Sequence, residues 1–210
     1  MSETVIQVTS LGKRIKGKTI LEDISFEINK GDCVALIGPN GAGKTVLMSC
    51  ILGDKKPSSG QVLIDGKTGK AKNKIAVLLQ ENTIPNSLKV EELIAFFQSI
   101  SDNPLTNQEV QELLQFKEDQ YQQFADKLSG GQRRLLAFVL CLIDKPKILF
   151  LDEPTAGMDT STRQRFWEIV NDLKRAGTTI LYSSHYIEEV EHTADRILVL
   201  HQGKQIGRAH

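Results

Sequence analysis

The sequence predicts an α/β fold with a mostly parallel sheet, an antiparallel β side layer and a small helical subdomain inserted in it. Three observations support this prediction. Short apolar runs typical of buried strands alternate with amphipathic helical patterns through most of the 210 residues. Residues 22–29 instead alternate apolar and polar side chains, as half-buried antiparallel strands do. Between residues 81 and 127 the patterns are helical and Gln is frequent, which indicates an insertion rather than an independent domain.

The first strands belong to the predicted side layer. Val5 and Val8 indicate a weak strand, and residues 22–29 form the clearer one. Residues 33–37 are then continuously apolar, which predicts a strand covered on both faces. This strand is the expected start of the parallel sheet.

A glycine-rich loop at residues 38–45 follows, and the next residues predict a helix over 46–52 that ends at Gly53. Turn residues on both sides bound a short strand at 61–64. A second apolar strand at 75–79 ends at Gln80.

The rest of the chain resumes the alternation of helices and strands. The predicted elements are helices over 90–100 and 108–116, a helix over 131–143, a strand over 148–151, a helix over 161–175, a strand over 179–182, a helix from Ile187, and strands over 197–200 and near Gln205-Ile206. Residues 1–210 are therefore predicted to form a single domain, with the helical subdomain at 81–127 and a further helix following within 128–143.

Composition narrows the classes of function. The chain has 26 Lys plus Arg residues and 26 Asp plus Glu residues, so it has no net positive charge that would attract nucleic acid. Nucleic acid is therefore not expected as a partner. The apolar runs are far shorter than the roughly 20 residues that cross a bilayer. A role at a membrane would therefore need another polypeptide. Cys33, Cys50 and Cys141 lie far apart in apolar surroundings, which predicts buried, reduced thiols.

The loop Gly-Pro-Asn-Gly-Ala-Gly-Lys-Thr lies between a buried strand and a helix and matches the P-loop pattern. Its glycines let backbone N–H groups surround phosphate oxygens, and the helix N-terminus adds a favourable dipole. Lys44 is expected to bridge the β- and γ-phosphates, and the Thr45 hydroxyl to bind Mg²⁺. The predicted phosphate-binding residues are Gly38, Pro39, Asn40, Gly41, Ala42, Gly43, Lys44, Thr45 and Val46.

The apolar strand at 148–151 ends in Asp152-Glu153. Such a strand would deliver Asp152 to the Mg²⁺ shell. The carboxylate of Glu153 would then orient and polarise the attacking water. Together with the P-loop, this pair predicts ATP hydrolysis.

Six segments in order resemble the nucleotide-binding subunits of ATP-binding cassette (ABC) transporters, and the resemblance covers essentially the whole chain. Residues 38–45 are similar to the family's Walker A motif, Gln80 to its Q-loop, residues 128–132 to its signature sequence, residues 148–152 with Glu153 to Walker B and the catalytic glutamate, residues 156–159 to the D-loop, and His185 to the H-loop. A general P-loop kinase would explain neither the signature sequence nor His185.

The resemblance implies a site shared between two subunits. Cassettes of this family pack head to tail, and each signature loop closes on ATP held by the partner's P-loop. Ser129, Gly130, Gly131, Gln132 and Asp159 would thus contact nucleotide across the interface. The resemblance also makes Gln80 a third Mg²⁺ ligand, and gives His185 a catalytic role beside Glu153 and Lys44.

Two positions depart from the family pattern. Ile15 stands where relatives usually carry an aromatic residue that stacks on adenine, and Val46 stands where a hydroxyl usually contacts the α-phosphate. Each change removes an interaction typically worth about 1 kcal/mol. We expect the isolated subunit to bind ATP weakly and to discriminate poorly against GTP.

The segments 152–159 and 183–191 are similar to exporter-type cassettes for drugs, antibiotics or peptides. The leading hypothesis is an ATPase subunit, expected to form a homodimer at the cytoplasmic face of the membrane. Each subunit would receive a short helix of a separate multi-spanning permease in a groove around residues 80–89. The alternative is a soluble ABC-type ATPase whose nucleotide-driven dimerisation regulates or assembles a partner.

Overall fold

The computed structural model describes residues 3–68, 74–80, 84–85 and 87–209. Its strands are β1 (Thr4–Ile15), β2 (Lys18–Asn29), β3 (Cys33–Ile37), β4 (Ser59–Ile64), β5 (Ile75–Leu78), β6 (Ile148–Leu151), β7 (Thr179–Ser184), β8 (Arg196–His201) and β9 (Lys204–Ala209). Its helices are α1 (Lys44–Leu52), α2 (Val90–Ser99), α3 (Asn107–Leu114), α4 (Glu118–Tyr121), α5 (Gly130–Leu142), α6 (Thr160–Arg175) and α7 (Ile187–Thr193), with a 3-10 turn at Ala125–Lys127.

The larger sheet has the strand order β5-β6-β7-β3-β8-β9. All neighbours are parallel except β8 and β9, which confirms the predicted mostly parallel sheet. Because parallel strands end at one edge, the loops after β3, β5, β6 and β7 emerge side by side. This edge carries the candidate site.

The smaller sheet is antiparallel, with the order β2-β1-β4, and it confirms the predicted side layer. Its buried residues, such as Leu11, Ile24 and Phe26, pack in one cluster with β3 and α1. Both β1 and β2 are longer than the apolar pattern predicts, because they continue as a hairpin to the turn at Lys16-Gly17. Apolar and polar residues near that turn follow no regular period, so hydrophobic periodicity does not predict this extension.

A second core lies on the other face of the large sheet, where α5 contributes Leu136, Phe138 and Val139. The rings of Phe138 and Phe166 have centroids 4.3 Å apart, and Trp167 lies 5.1 Å from Phe166. Trp167 is therefore a packing residue of α6, as its helical spacing with apolar neighbours indicates.

Helices α2 and α3 lie in the segment where the sequence predicts helices, and α2 and α3 both contact α5. Thr106 caps α3 in a reciprocal capping box with Glu109. The short α4 and the 3-10 turn are not predicted, because one turn of helix has no periodicity to detect. Residues 81–83 and 86 of the proposed subdomain lie outside the described residues.

Element ends differ from the predictions by one to several residues. Helix α1 begins at Lys44 because the Leu47 N–H already bonds the Gly43 carbonyl at 2.8 Å. Strand β7 continues through Ser183 and Ser184, whose hydroxyls are buried and hydrogen-bonded. No helix among the described residues is long and apolar enough to cross a membrane.

The three cysteines are free thiols; Cys33 and Cys50 are buried and Cys141 is half-buried. Burial raises the pKa of Cys33 to about 12 and that of Cys141 to about 11. Burial also raises the pKa of Cys50. All three therefore remain protonated in the folded chain at neutral pH, which makes them poor nucleophiles.

We expect Ellman's reagent to react with these thiols much more slowly in the folded chain than in urea. Burial raises the folded pKa of all three thiols above the ordinary 9.0, so their contribution to stability is complete below pH 9.0 and is lost at higher pH. For Cys141 and Cys33 the loss extends to about pH 11 and about pH 12. Urea unfolding followed from about pH 7 to 11 measures this loss. Rapid labelling of all three thiols without denaturant would contradict the prediction.

Candidate nucleotide-binding site

The loop after β3 takes a shape that depends on glycine. A Cβ on Gly38 would lie 2.2 Å from the Leu200 carbonyl oxygen, so β8 approaches the loop too closely for any other residue. Gly43 has a left-handed φ of 103° and occupies the N-cap of α1, where no side chain accepts a hydrogen bond. The first N–H groups of α1 therefore lack a side-chain cap, and this arrangement suits an anion.

Lys44 places a buried cation at this loop. Its side chain is only 7% exposed, and its ammonium donates to the carbonyls of Gly38 at 2.7 Å and Pro39 at 3.3 Å. Its Nζ also lies 3.5 Å from Oε1 of Glu153. The predicted phosphate ligand and the predicted base thus belong to one charged cluster.

Glu153 stands at the centre of that cluster. Its Oε2 lies 2.7 Å from Nδ1 of His185, so its carboxylate contacts both Lys44 and His185. Glu153 also has a left-handed φ of 45°, which costs a residue other than glycine roughly 1–3 kcal/mol and is typical of functional sites. The structure brings together all three residues that the sequence predicts as catalytic.

Asp152 is buried beside Glu153, and one hydroxyl holds both residues. The Ser183 hydroxyl donates to Oδ1 of Asp152 at 2.6 Å and accepts the Glu153 N–H at 2.8 Å. Ser183 is a candidate site residue that the sequence motifs do not predict. The only signal for it is a polar pair, Ser183-Ser184, at the end of an apolar strand.

Thr45 and Asp152 line the same small cavity. A hydroxyl and one carboxylate are hard oxygen donors, and Mg²⁺ typically combines one or two carboxylates with water and phosphate oxygens. Among the described residues, no three His, Cys, Asp or Glu side chains come together as a metal site. The donors present therefore fit a Mg²⁺ ion that is bound together with phosphate.

Gln80 follows β5, the strand next to β6, so the fold carries it toward Asp152. Its side chain is exposed, and its carbonyl accepts a hydrogen bond from Arg134 at 3.0 Å. The structure thus places its backbone beside the Asp152 loop, and metal binding by its side chain stays a prediction.

The signature residues form a separate group. Ser129 caps α5 in a reciprocal capping box with Gln132, and both Ser129 and Gly130 are exposed. In the described part of the chain, no hydrogen bond or ion pair links these residues to the loop at residues 38–46. The contacts of Ser129, Gly130, Gly131 and Gln132 with nucleotide across an interface therefore stay a prediction.

Asp159 lies beside this group. Hydrogen bonds from Ser161 and Thr162 lower the pKa of its carboxyl, and its side chain caps α6. A Cβ on Gly131 would lie 3.1 Å from Oδ2 of Asp159, so the starts of α5 and α6 are in contact. The structure also shows where the two residues that depart from the family pattern lie. Ile15 is 36% exposed at the end of β1, and Val46 is half-buried in α1.

These features define the class of protein. A glycine-shaped loop with a buried lysine, followed along one sheet edge by a carboxylate pair, is the site of a P-loop nucleoside triphosphatase. A family model described as ABC transporter matches residues 21–156. The chain belongs to the ABC transporter family, whose ATP-binding cassettes are ATPases.

Relatives agree with this assignment. The chain is 35% identical over 213 residues to the linearmycin resistance ATP-binding protein LnrL of Bacillus subtilis, covering 96% of this chain and 68% of that protein. It is 34% identical over 222 residues to Nod factor export ATP-binding protein I of Rhizobium johnstonii, covering 100% of this chain and 71% of the relative.

Solved structures share the fold. An ATP-binding subunit of an ABC transporter superposes with a TM-score of 0.84 at 26% identity, covering 98% of this chain and 89% of that chain. A dimeric ATP-binding cassette in a post-hydrolysis state, bound to ADP and Pi, has a TM-score of 0.82 at 20% identity and covers 97% of both chains. The second match is evidence for the fold alone.

Replacing Ser183 with Ala should disturb both carboxylate residues at once. The buried Glu153 N–H would lose its acceptor, at a cost of about 1–3 kcal/mol in unfolding free energy. Because Ser183 also orients Asp152, we expect Mg²⁺-dependent ATPase activity to fall about 10- to 100-fold.

Ser184→Ala is the matched control, since its buried hydroxyl bonds the Tyr186 N–H and Glu189 instead. It should cost similar stability with a much smaller loss of activity. Equal activity losses in the two variants would show that Ser183 has no special role.

Proposed function

We propose that the chain is the ATP-hydrolysing subunit of an ABC exporter, dimerising on ATP to power transport through a separate multi-spanning permease. The observation that carries the proposal is the Glu153 carboxylate held between Lys44 and His185, while the signature loop is well formed but unconnected to that cluster. Such a chain has two half-sites, and two copies placed head to tail would complete both.

The site residues have distinct roles in this proposal. The loop at residues 38–46 and Lys44 hold the triphosphate, and Glu153 accepts the proton of the attacking water. His185 orients the Glu153 carboxylate through the 2.7 Å contact. Thr45, Asp152 and Gln80 would hold Mg²⁺, which neutralises charge on the phosphates. Ser129, Gly130, Gly131, Gln132 and Asp159 would reach the partner's ATP.

Export as the direction of transport is supported by the relatives, which are named for linearmycin resistance and for Nod factor export. The place of the permease is supported by two exposed apolar side chains. Leu79, which precedes Gln80, is 46% exposed. Phe124 is also 46% exposed, and its backbone forms an isolated antiparallel β-bridge with Lys89. We propose that they flank the groove at residues 80–89, part of which lies outside the described residues.

The same proposal assigns residues 1–210 to one ATPase domain and residues 81–127 to its helical subdomain. A permease helix docked at residues 80–89 would place the subunit at the cytoplasmic face of the membrane. Since Gln80 lies two residues after the end of β5, the neighbour of β6, a shift of the docked helix would change the geometry near Asp152.

Glu153→Gln provides the test. The variant should bind ATP, because Lys44 and the loop are intact, and should lose about 100- to 10,000-fold in hydrolysis. Expressed in its native cell, trapped with Mg²⁺-ATP and purified from solubilised membranes, it should carry a multi-spanning membrane protein at stoichiometric yield.

Glu188→Gln is a matched control, because Glu188 is an exposed carboxylate in the first turn of α7 and should keep full activity. Recovery of a closed homodimer alone, or of soluble partners only, would favour the soluble regulatory ATPase instead. Unchanged turnover in Glu153→Gln would remove Glu153 from its proposed role.

A further inference from the structure

Arg134 makes the densest set of side-chain hydrogen bonds near the site. It belongs to α5, and its guanidinium donates to five backbone carbonyls, those of Leu79, Gln80, Asp152, Glu153 and Pro154. The distances are 3.0 Å to Gln80, 3.1 Å to Asp152 and 3.1 Å to Pro154. One side chain therefore joins the ends of two strands.

The two joined segments carry the proposed Mg²⁺ ligands and the base. Nη1 bonds the Leu79 and Gln80 carbonyls after β5, while Nη2 bonds those of Asp152 and Glu153 after β6. These carbonyls lie beyond the paired register of β5 with β6, which ends at Leu78 and Leu151. Arg134 thus replaces the sheet hydrogen bonds at the point where the strands separate.

Only arginine suits this position. A guanidinium presents five N–H donors in a rigid planar fork, so it can serve both segments at once. A lysine ammonium is a compact point charge that cannot span them. Arg134 is half-buried, so protein carbonyls take the place of part of the water around its guanidinium.

Arg134 also belongs to the signature helix. It lies five residues after Ser129, the cap of α5, which is about 7.5 Å along the helix. The loop that would meet the partner's ATP and the anchor of this chain's own Gln80 and Asp152 segments are therefore parts of one rigid element.

We propose that Arg134 is a positioning residue that holds the Gln80 and Asp152-Glu153 segments in register for Mg²⁺ and makes their placement depend on the signature helix. The inference rests on the proposed function, because it assumes that these segments hold Mg²⁺ and the base. It assigns Arg134 no contact with nucleotide.

The test compares binding of a fluorescent ATP analogue with and without Mg²⁺ in the full chain. In Arg134→Gln, the Mg²⁺-free affinity should stay within about twofold of the parent because the P-loop is untouched, while the gain in affinity on adding Mg²⁺ should fall about tenfold. ATPase turnover should fall about 10- to 100-fold. Arg134→Lys should behave like Arg134→Gln, since it cannot bridge both segments.

Arg165→Gln is the matched control. Arg165 also donates to backbone carbonyls, those of Glu112 and Leu113, but joins α6 to the end of α3 away from the site. Arg165→Gln should lower the thermal unfolding midpoint about as much as Arg134→Gln does. It should leave intact the gain in affinity for the ATP analogue on adding Mg²⁺. An unchanged gain in Arg134→Gln, or an equal loss in Arg165→Gln, would overturn the proposal.

Two further comparisons separate a failure of the Arg134 inference from a folding defect and from a failure of the proposed function. If Arg134→Gln does not fold, Arg134→Lys gives the same comparison, and a parent-like Mg²⁺-linked gain there would reject the bridging role. If the parent chain and its partner fail to hydrolyse ATP at all, the proposed function fails, while the binding comparison still decides the role of Arg134.

Discussion

The parallel register of β6, β7 and β3 is the constraint on which the site depends. Leu151 of β6 pairs with Tyr182 of β7, and Ser184, two residues further along β7, pairs with Ile37 of β3, so the segments after the three strands emerge at the same edge of the sheet. Lys44, Glu153 and His185 follow three different strands, yet Glu153 contacts both partners within 3.5 Å. A shift of one strand by a single residue would separate these charges and leave Lys44 buried without its carboxylate.

In our proposal one chain carries two incomplete ATP sites, and the elements at this edge of the sheet explain why. Helix α5 contacts β5 and is joined to this edge through Arg134, while Ser129, which caps the start of α5, is exposed. The same helix thus carries both the signature residues and the side chain that bonds the Gln80 and Asp152 segments. If hydrolysis requires a second copy of the chain, ATP is consumed only in the assembled dimer. Hydrolysis is then coupled to the closure of the two domains that would drive transport.

Much of this fold could be predicted from periodicity and motif spacing. The apolar run ending at Ile37 and the run ending at Leu151 indicate parallel strands, and the segments after them predict one nucleotide site for Lys44 and Glu153, whose charged atoms lie 3.5 Å apart. Ser183 and Arg134 could not be found in this way, because both act through the backbone of residues distant in sequence. Their residue types carry no signal until the tertiary fold supplies the acceptors. The ends of β1 and β2 were missed for a related reason, since the hairpin geometry rather than polarity extends them.

Mixing two inactive variants tests the shared site most directly. Ser129→Arg should block the signature loop, and Glu153→Gln should remove the base. A mixed dimer would then hold one doubly damaged site and one intact site. Equal mixing, followed by ATPase assay with crosslinking to confirm mixed dimers, should restore about a quarter of the parent activity if the two sites of a symmetric dimer act independently. Mixed dimers that remain inactive, or a Ser129→Arg chain that is active alone, would contradict a site completed by the partner subunit.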